Sequence, residues 1–399
     1  MPVKTIIIRR EDIERVVGQM SENTSLARKY FGAGKMKNST HISASSLKSE
    51  YGNVPVIVRG DTGIVPKHGM DVTDIVPMPI EIDDKLRATV MDEYERASGE
   101  GKQQIIDEYL NDHSIMVRET TNALCCQAHR GKIDYMMKAG AELVRYQVNY
   151  GEVKSLAFGK SLSTATMGDV TRMLSQLKSA ITKNGIGGPV EFIAHPAVYS
   201  RLTDLLTSAK IAESIREDHV MIGPYKVLED VDSYVDVAPD GTKTTKSLCE
   251  NGEICCRAMN AGQKLVYLRL DDVVQREAVP LYSFTEVGDG QRGINLYTKS
   301  KPFPLINTKG VAFGKFKEET FAITFSAGSN GTVTAQVDGK AITSGDKVAA
   351  GKTVTFTASP SASHQVDAWT GVTTSSGNSA TLEVGEAATV NVTFKSTTT

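Results

Sequence analysis

From residue 318 onward the chain contains no Arg, Met, Cys or Tyr and is dominated by Thr, Val, Ala, Ser and Gly, whereas the sequence before it is rich in Leu, Met, Arg and charged helical stretches. One chain therefore carries two architectures. The earlier part predicts a mixed α+β body, and the later part a small all-β module of about six short strands at 321–325, 331–337, 353–358, 364–370, 380–384 and 388–394. Alternating Thr and Val between glycine turns is the period-2 pattern of strands with one face buried. Residues 315–320 read as a short linker that holds the module near the body. Trp369 is the chain's only tryptophan, and in a module this small it is expected in the core, with ligand stacking as the alternative.

The chain's 399 residues suffice for a sizeable core and two or three domains. A formal net charge of -2 excludes a general nucleic-acid-binding surface, leaving only a local basic patch open. The apolar run Ile6-Ile7-Ile8 is far too short for a signal peptide and is closed by Arg9 and Arg10. No run of about 18 apolar residues suggests a membrane span. The cysteines, Cys125-Cys126, Cys249 and Cys255-Cys256, lack the two-residue spacer of structural zinc sites and read as buried reduced thiols.

Residues 1–40 read as an arm, with a short helix at 11–20. Residues 41–82 alternate β-type runs with turns and predict a long, edge-exposed β-loop around Arg59-Gly60-Asp61-Thr62-Gly63. Two helices are predicted next, at 84–97 and 102–129. In the second, Ile106, Tyr109, Leu110, Ile115, Val117, Thr121, Leu124 and Ala128 fall largely at spacings of three and four, with Gly131 as the stop. At about 1.5 Å per residue it would be roughly 40 Å long, a spine for the fold. A strand at 141–153, a helix at 166–183, a strand at 190–194 entering His195-Pro196, and a helix from Pro196 through Leu206 follow.

Several motifs suggest chemistry and are better explained structurally. Asp61-Thr62-Gly63 is the aspartic-protease triplet, but no partner triplet or apolar-apolar-Gly strand accompanies it, so a turn is expected. Arg59-Gly60-Asp61 is an integrin-type tripeptide with nothing to support it. Phe31-Gly32-Ala33-Gly34-Lys35 fails as a phosphate loop because Lys29 stands where the first glycine belongs and Met36 replaces Ser or Thr. His195 fits a strand-to-helix turn as well as a catalytic role. His41, His68, His113, His129, His219 and His364 show no metal-ligand spacing, and no Ser or Cys sits in a nucleophile elbow. No catalytic, cofactor-binding or metal residue is assigned, no cofactor is expected, and the chain is read as a non-enzyme.

The order of parts (arm, β-loop, spine helix, inserted α/β region, late return) resembles the major capsid proteins of tailed bacteriophages with the Hong Kong 97 fold, within them the capsid protein E family. The likeness is carried by Thr62-Gly63-Ile64-Val65-Pro66-Lys67-His68 and residues 72–80, and by Leu110-Asn111-Asp112-His113 through Leu124 with Arg130-Gly131-Lys132. Phe192-Ile193-Ala194-His195-Pro196 and Lys299-Ser300-Lys301-Pro302-Phe303-Pro304-Leu305 complete it. It implies an N-terminal arm (1–40), an extended β-loop (41–82), a peripheral domain with the spine helix (83–150), an axial domain (151–285) and a return with linker (286–318). The tail (319–399) resembles bacterial immunoglobulin-like and internalin B-repeat modules through Gly331-Thr332-Val333, residues 351–358, Trp369 and Val390-Asn391-Val392-Thr393-Phe394.

These resemblances imply a head protein made in a bacterial cytoplasm that assembles with itself as hexamers and pentamers in an icosahedral virion shell. They further imply scaffold, portal and decoration proteins as partners, weak non-specific contact with packaged double-stranded DNA, no membrane, and a host-surface or glycan ligand for an outward-facing tail. The alternative is a bacterial surface adhesin, suggested by the tail alone.

Overall fold

The computed structural model describes residues 8–19, 25–49, 68–287 and 294–397. By internal packing the chain divides into two units, residues 1–156 with 171–314, and residues 157–170 with 315–399.

The first unit is organised on one long helix, Gly99–His129, of 31 residues, about 46 Å at 1.5 Å per residue. Ser98 caps it by accepting a hydrogen bond from Gly101 N at 3.3 Å. Gly131 ends it at φ +80°, donating its N–H to Ala128 O at 2.9 Å. Along one face Ile106, Leu110, Val117 and Leu124 are buried, and from Ala123 to His129 every residue is buried. Helical periodicity dissolves there because the helix enters the core from all sides.

Against the N-terminal half of this spine lies an antiparallel three-stranded sheet, Tyr282–Val287, Ile294–Ser300 and Ile80–Leu86 in that order. Alternation on the middle strand buries Ile294, Leu296, Thr298 and Ser300. Ile294 and Leu296 pack with Leu86, Ile106 and Leu110. The helix expected at 84–97 thus gives its first turn to a strand, and the helix itself is Ala88–Arg96. Leu86 is buried only as a strand residue opposite Ile294, and that long-range pairing overrides the local helical pattern.

A second sheet is centred on Val190–Ala194, parallel to Tyr225–Glu229 and antiparallel to Glu253–Ala258. Every residue of Glu253–Ala258 is buried, Ile254, Cys255, Cys256 and Ala258 together with the charged Glu253 and Arg257, whose partners are given below. The helix Pro196–Ser208 follows, turning Val198, Leu202 and Leu206 inward. The strand expected at 141–153 is one half of a hairpin, Lys132–Ala139 with Glu142–Asn149, turning at Gly140 (φ +63°). Ile42–Ser49 and His68–Ile75 form an antiparallel ribbon in register from Ile42↔Ile75 to Ser49↔His68. The connecting segment, with Arg59, Gly60, Asp61, Thr62 and Gly63, lies outside the described residues.

Within the second unit, a four-stranded sheet (Asp346–Ala349, Thr320–Ala327, Ala388–Ser396, His364–Thr370) faces a five-stranded one (Lys340–Ile342, Gly331–Val337, Thr353–Pro360, Ser379–Glu383, Thr374–Ser376). Nine strands replace the expected six. The added ones are mostly short pieces of three to five residues, too brief to leave a periodic signal. Ile323, Val348 and Val390 of one sheet meet Ala335, Val354, Phe356 and Ala380 of the other. Nor is there a six-residue linker: a strand runs through Lys317 and the next starts at Thr320. Ser163 donates to Glu319 inside this unit. Among the described residues, no helix is long and apolar enough to cross a membrane.

Candidate functional site

The most concentrated buried chemistry of the first unit lies where residues 25–37 meet the end of the spine helix. Ser25 caps the helix Leu26–Tyr30, and the carboxylate of Asp232 accepts from Leu26 N at 3.1 Å and Ala27 N at 2.6 Å. A carboxylate at a helix N-terminus satisfies orphan donors and complements the helix dipole. Behind it, Arg257 is 1% exposed. Its guanidinium donates to Glu191 at 2.6 and 3.1 Å and to Leu26 O at 2.9 Å, and lies 4.9 Å from the centre of the Tyr30 ring.

Tyr30 OH donates to Ala258 O at 2.9 Å, and Tyr30, Phe31 and Ala27 are buried. Burying each aromatic contributes roughly 1.5–3 kcal/mol. The strand Lys35–Lys37 then pairs in parallel with Lys264–Leu268. Gly34 (φ +88°) is required there, since a Cβ would lie 2.7 Å from the Tyr267 ring. The segment expected to be an arm as far as residue 40 is therefore part of the body's own core from Ser25. The phosphate-loop lookalike at Phe31 to Lys35 is a helix end running into a strand.

His129 completes this joint. Its Nδ1 is 2.8 Å from Cys125 O, an obligate acceptor, so Nδ1 carries the proton and Nε2 faces Arg257 Nη1 at 3.4 Å as an acceptor. Burial, with the Arg257 charge adding to it, pushes the imidazole down to about 3. Asp230 accepts from Cys249 N at 2.7 Å and Asp232 N at 3.1 Å, and burial raises its carboxyl to about 6. Arg130 pairs with Glu253 at 2.6 Å and stacks 4.2 Å from the Phe313 ring centre. The thiols of Cys125 and Cys255 are pushed up to about 12 by burial, and all five cysteines are free and buried. Such thiols are poor nucleophiles and poor metal ligands.

A second polar seam ties the spine helix to the three-stranded sheet. His113, 2% exposed, places Nδ1 2.7 Å from Thr298 Oγ1, which is itself 2.8 Å from Ser283 Oγ. Its Nε2 lies 3.6 Å from Asp84. Near the N-terminus, Arg15 of the helix Arg10–Gln19 pairs with Asp107 of the spine at 2.7 Å.

The other sequence candidates disperse. His195 is the cap of Pro196–Ser208, its Nδ1 accepting from Ala197 N at 3.2 Å. His219 pairs with Asp218 at 2.6 Å, and His364 Nδ1 lies 3.0 Å from Ala362 O. Trp369 packs against the module's core as expected but is only half-buried, its Nε1 donating to Gly377 O at 3.1 Å, while Phe356 is the fully buried aromatic. Among the described residues no three His, Cys, Asp or Glu side chains gather as a metal site.

A polar cleft of about 560 Å³ is lined by Arg130, Lys132, Arg145 and Lys246. Each cation is matched: Arg145 with Asp134 at 2.8 Å and Asp236 at 2.9 Å, Lys246 with Asp236 at 2.5 Å, Lys132 with Asp134 at 3.0 Å. A phosphate would have to displace these carboxylates.

What these contacts build is a set of mechanical joints between an N-terminal segment, a spine and two sheets. The family model of phage major capsid protein E matches residues 14–314. The chain belongs to the phage major capsid protein E family. It is thus a subunit of a phage head shell, part of the virion, and its principal partner is itself. The match ends at Gly314, where the C-terminal block of the second unit begins at Lys315.

The fold agrees. The capsid protein assigned to a prophage of Escherichia coli CFT073 superposes with a TM-score of 0.54 at 13% identity, covering 78% of this chain and 100% of that one. A phage-related protein of Bordetella bronchiseptica RB50 gives 0.42 at 8% identity (78% and 97%). The mature capsid of bacteriophage PhiM1 gives 0.44 at 10% identity (74% and 88%). No curated protein matches the sequence. The adhesin alternative gains nothing from these relationships.

Proposed function

We propose that this capsid protein assembles as hexamers and pentamers into an icosahedral shell around double-stranded DNA, with residues 1–317 forming the shell and the tail displayed on its outer surface. The five parts expected for the shell region, from arm to return, are carried over as part of this proposal, with the arm shortened to end before Ser25. The observation that carries it is the pairing of two facts. The capsid family match stops at Gly314, and the β-sandwich that follows has its own closed core of Ile323, Phe356, Val354 and Val390. A module with its own core does not need the shell to fold, and an outward position keeps it clear of packed DNA.

Near-zero net charge and fully matched cations in the polar cleft fit weak contact with DNA, since each free phosphate contact adds salt-sensitive affinity. Scaffold, portal and decoration proteins are the expected accessory partners, and the tail's immunoglobulin-like character and its host-surface or glycan ligand belong to the same reading. No catalytic step is assigned. The test is cryo-electron microscopy of shells from the full chain and from a truncation after Lys317. Closed shells in both, with outer density only in the first, are expected. Inner-face density, or failure of the truncated chain to close shells, would overturn the placement of the tail.

A further inference from the structure

Among the described residues, the most exposed large hydrophobic side chains are two neighbours, Val273 at 85% and Val274 at 76%. Paired branched side chains in water are usually found on a loose loop, yet this loop is tied at every turn. Asp272 accepts from Val274 N at 2.8 Å and Gln275 N at 3.1 Å, and its other oxygen pairs with Lys299 at 3.2 Å. Asp271 pairs at 2.9 Å with Lys301, whose own side chain is wholly buried. Arg276 donates to Val273 O at 3.2 Å and Gln275 to Glu277 O at 2.9 Å. The base is closed by the Arg269↔Ala278 bridge and by Ala278 N donating to Asn38 at 2.6 Å.

Beside this tip opens a cleft of about 710 Å³ whose apolar lining includes Ile8, Ile13, Val279, Pro280, Leu281 and Phe284, with Val274 at its edge. The rest of the lining is polar, with Glu14, Arg276 and Glu277 among it, so a rigid apolar knob stands next to a cleft of mixed character, and two facing copies can each fill the other's cleft.

We infer that Val273 and Val274 are an assembly knob that seats in this cleft on a second copy of the chain. The inference rests on the shell-forming role proposed above and deepens it by naming a contact. The occupant is protein and not nucleic acid, because the two most exposed side chains of the tip are apolar and both lysines beneath it are already paired with Asp271 and Asp272. Pre-ordering by the aspartate caps lowers the entropy lost when the tip docks, which favours association.

The test uses the full chain. In Val273→Ser/Val274→Ser both changes lie in solvent, so unfolding temperature should stay within a degree or two of the parent. The protein concentration needed for shells should rise at least tenfold. Separately, Val273→Cys chains mixed with Ile13→Cys chains and oxidised with diamide, which takes up the two electrons and two protons of the thiol pair, should give a disulfide-linked heterodimer seen only in the mixture. The five native thiols are buried and stay silent. If the parent makes shells while the double serine variant assembles at the parent concentration and no heterodimer forms, the knob is refuted and the shell role stands. If the parent itself makes no shells, both fall.

Discussion

Arg257 Nη1 lies 3.4 Å from His129 Nε2, and the contact is tolerable only while the imidazole is neutral. His129 is held down to about 3, against an ordinary 6.5. A depressed folded value means that its contribution is fully present above pH 6.5 and is lost as the pH falls toward 3. The loss is on the order of 5 kcal/mol by the time both states are protonated. His129→Gln can keep the donor to Cys125 O and the acceptor for Arg257 without titrating. Its unfolding temperature should therefore fall less than the parent's between pH 6.5 and 4. Equal slopes would show that His129 already accepts a proton in the fold.

Asp230 works against His129 over the same window. Its carboxyl is raised to about 6, so its favourable contribution is present below pH 3.8 and is lost as the pH rises through 6. Asp230→Asn should become more stable relative to the parent as the pH climbs from 4 to 7, even though one of two buried N–H donors loses an acceptor. Calorimetry across that range checks the sign. A difference that shrinks with rising pH would contradict the burial argument.

Asp232→Ala leaves Leu26 N and Ala27 N without their acceptor, at about 1–3 kcal/mol for each buried donor. Hydrogen exchange should quicken across residues 25–37 while the sheet around Val190–Ala194 stays protected. Unchanged protection of 25–37 would mean that Tyr30 and Phe31 alone hold the segment.

In the tail, Phe356→Ala removes the fully buried ring and should cost about 3–5 kcal/mol, enough to unfold so small a module. Trp369→Ala, at the rim, should cost clearly less. Trp369 is the sole tryptophan, so its fluorescence reports the module within the full chain. Phe356→Ala should red-shift that emission at room temperature, and emission like the parent's would show that the ring is dispensable.

What the sequence disclosed and what it hid follow from interaction range. The spine helix was legible from Ile106 to Leu124 and from Gly131, and the strand-to-helix turn at His195-Pro196 likewise, because their signals are local. The docking of residues 25–37 was not: it depends on Asp232 and Arg257, more than 200 residues away, meeting Leu26 and Ala27. The end of the strand Ile80–Leu86, beyond Ile82, and the first half of the 132–149 hairpin were missed for a related reason. Asp83-Asp84 reads as a helix start until Ile294–Ser300 pairs with it, and Lys132–Ala139 is fixed as a strand by its pairing with Glu142–Asn149. That Phe356 and not Trp369 is the fully buried ring was hidden too, because composition says how many large rings a module holds, not which one reaches its centre.

The central claim is that this chain builds a closed shell, and electron microscopy of the purified full-length protein tests it most directly. The account predicts closed particles of uniform size whose reconstruction shows six-fold and five-fold capsomers. Only monomers, or open and irregular aggregates under every assembly condition tried, would contradict it.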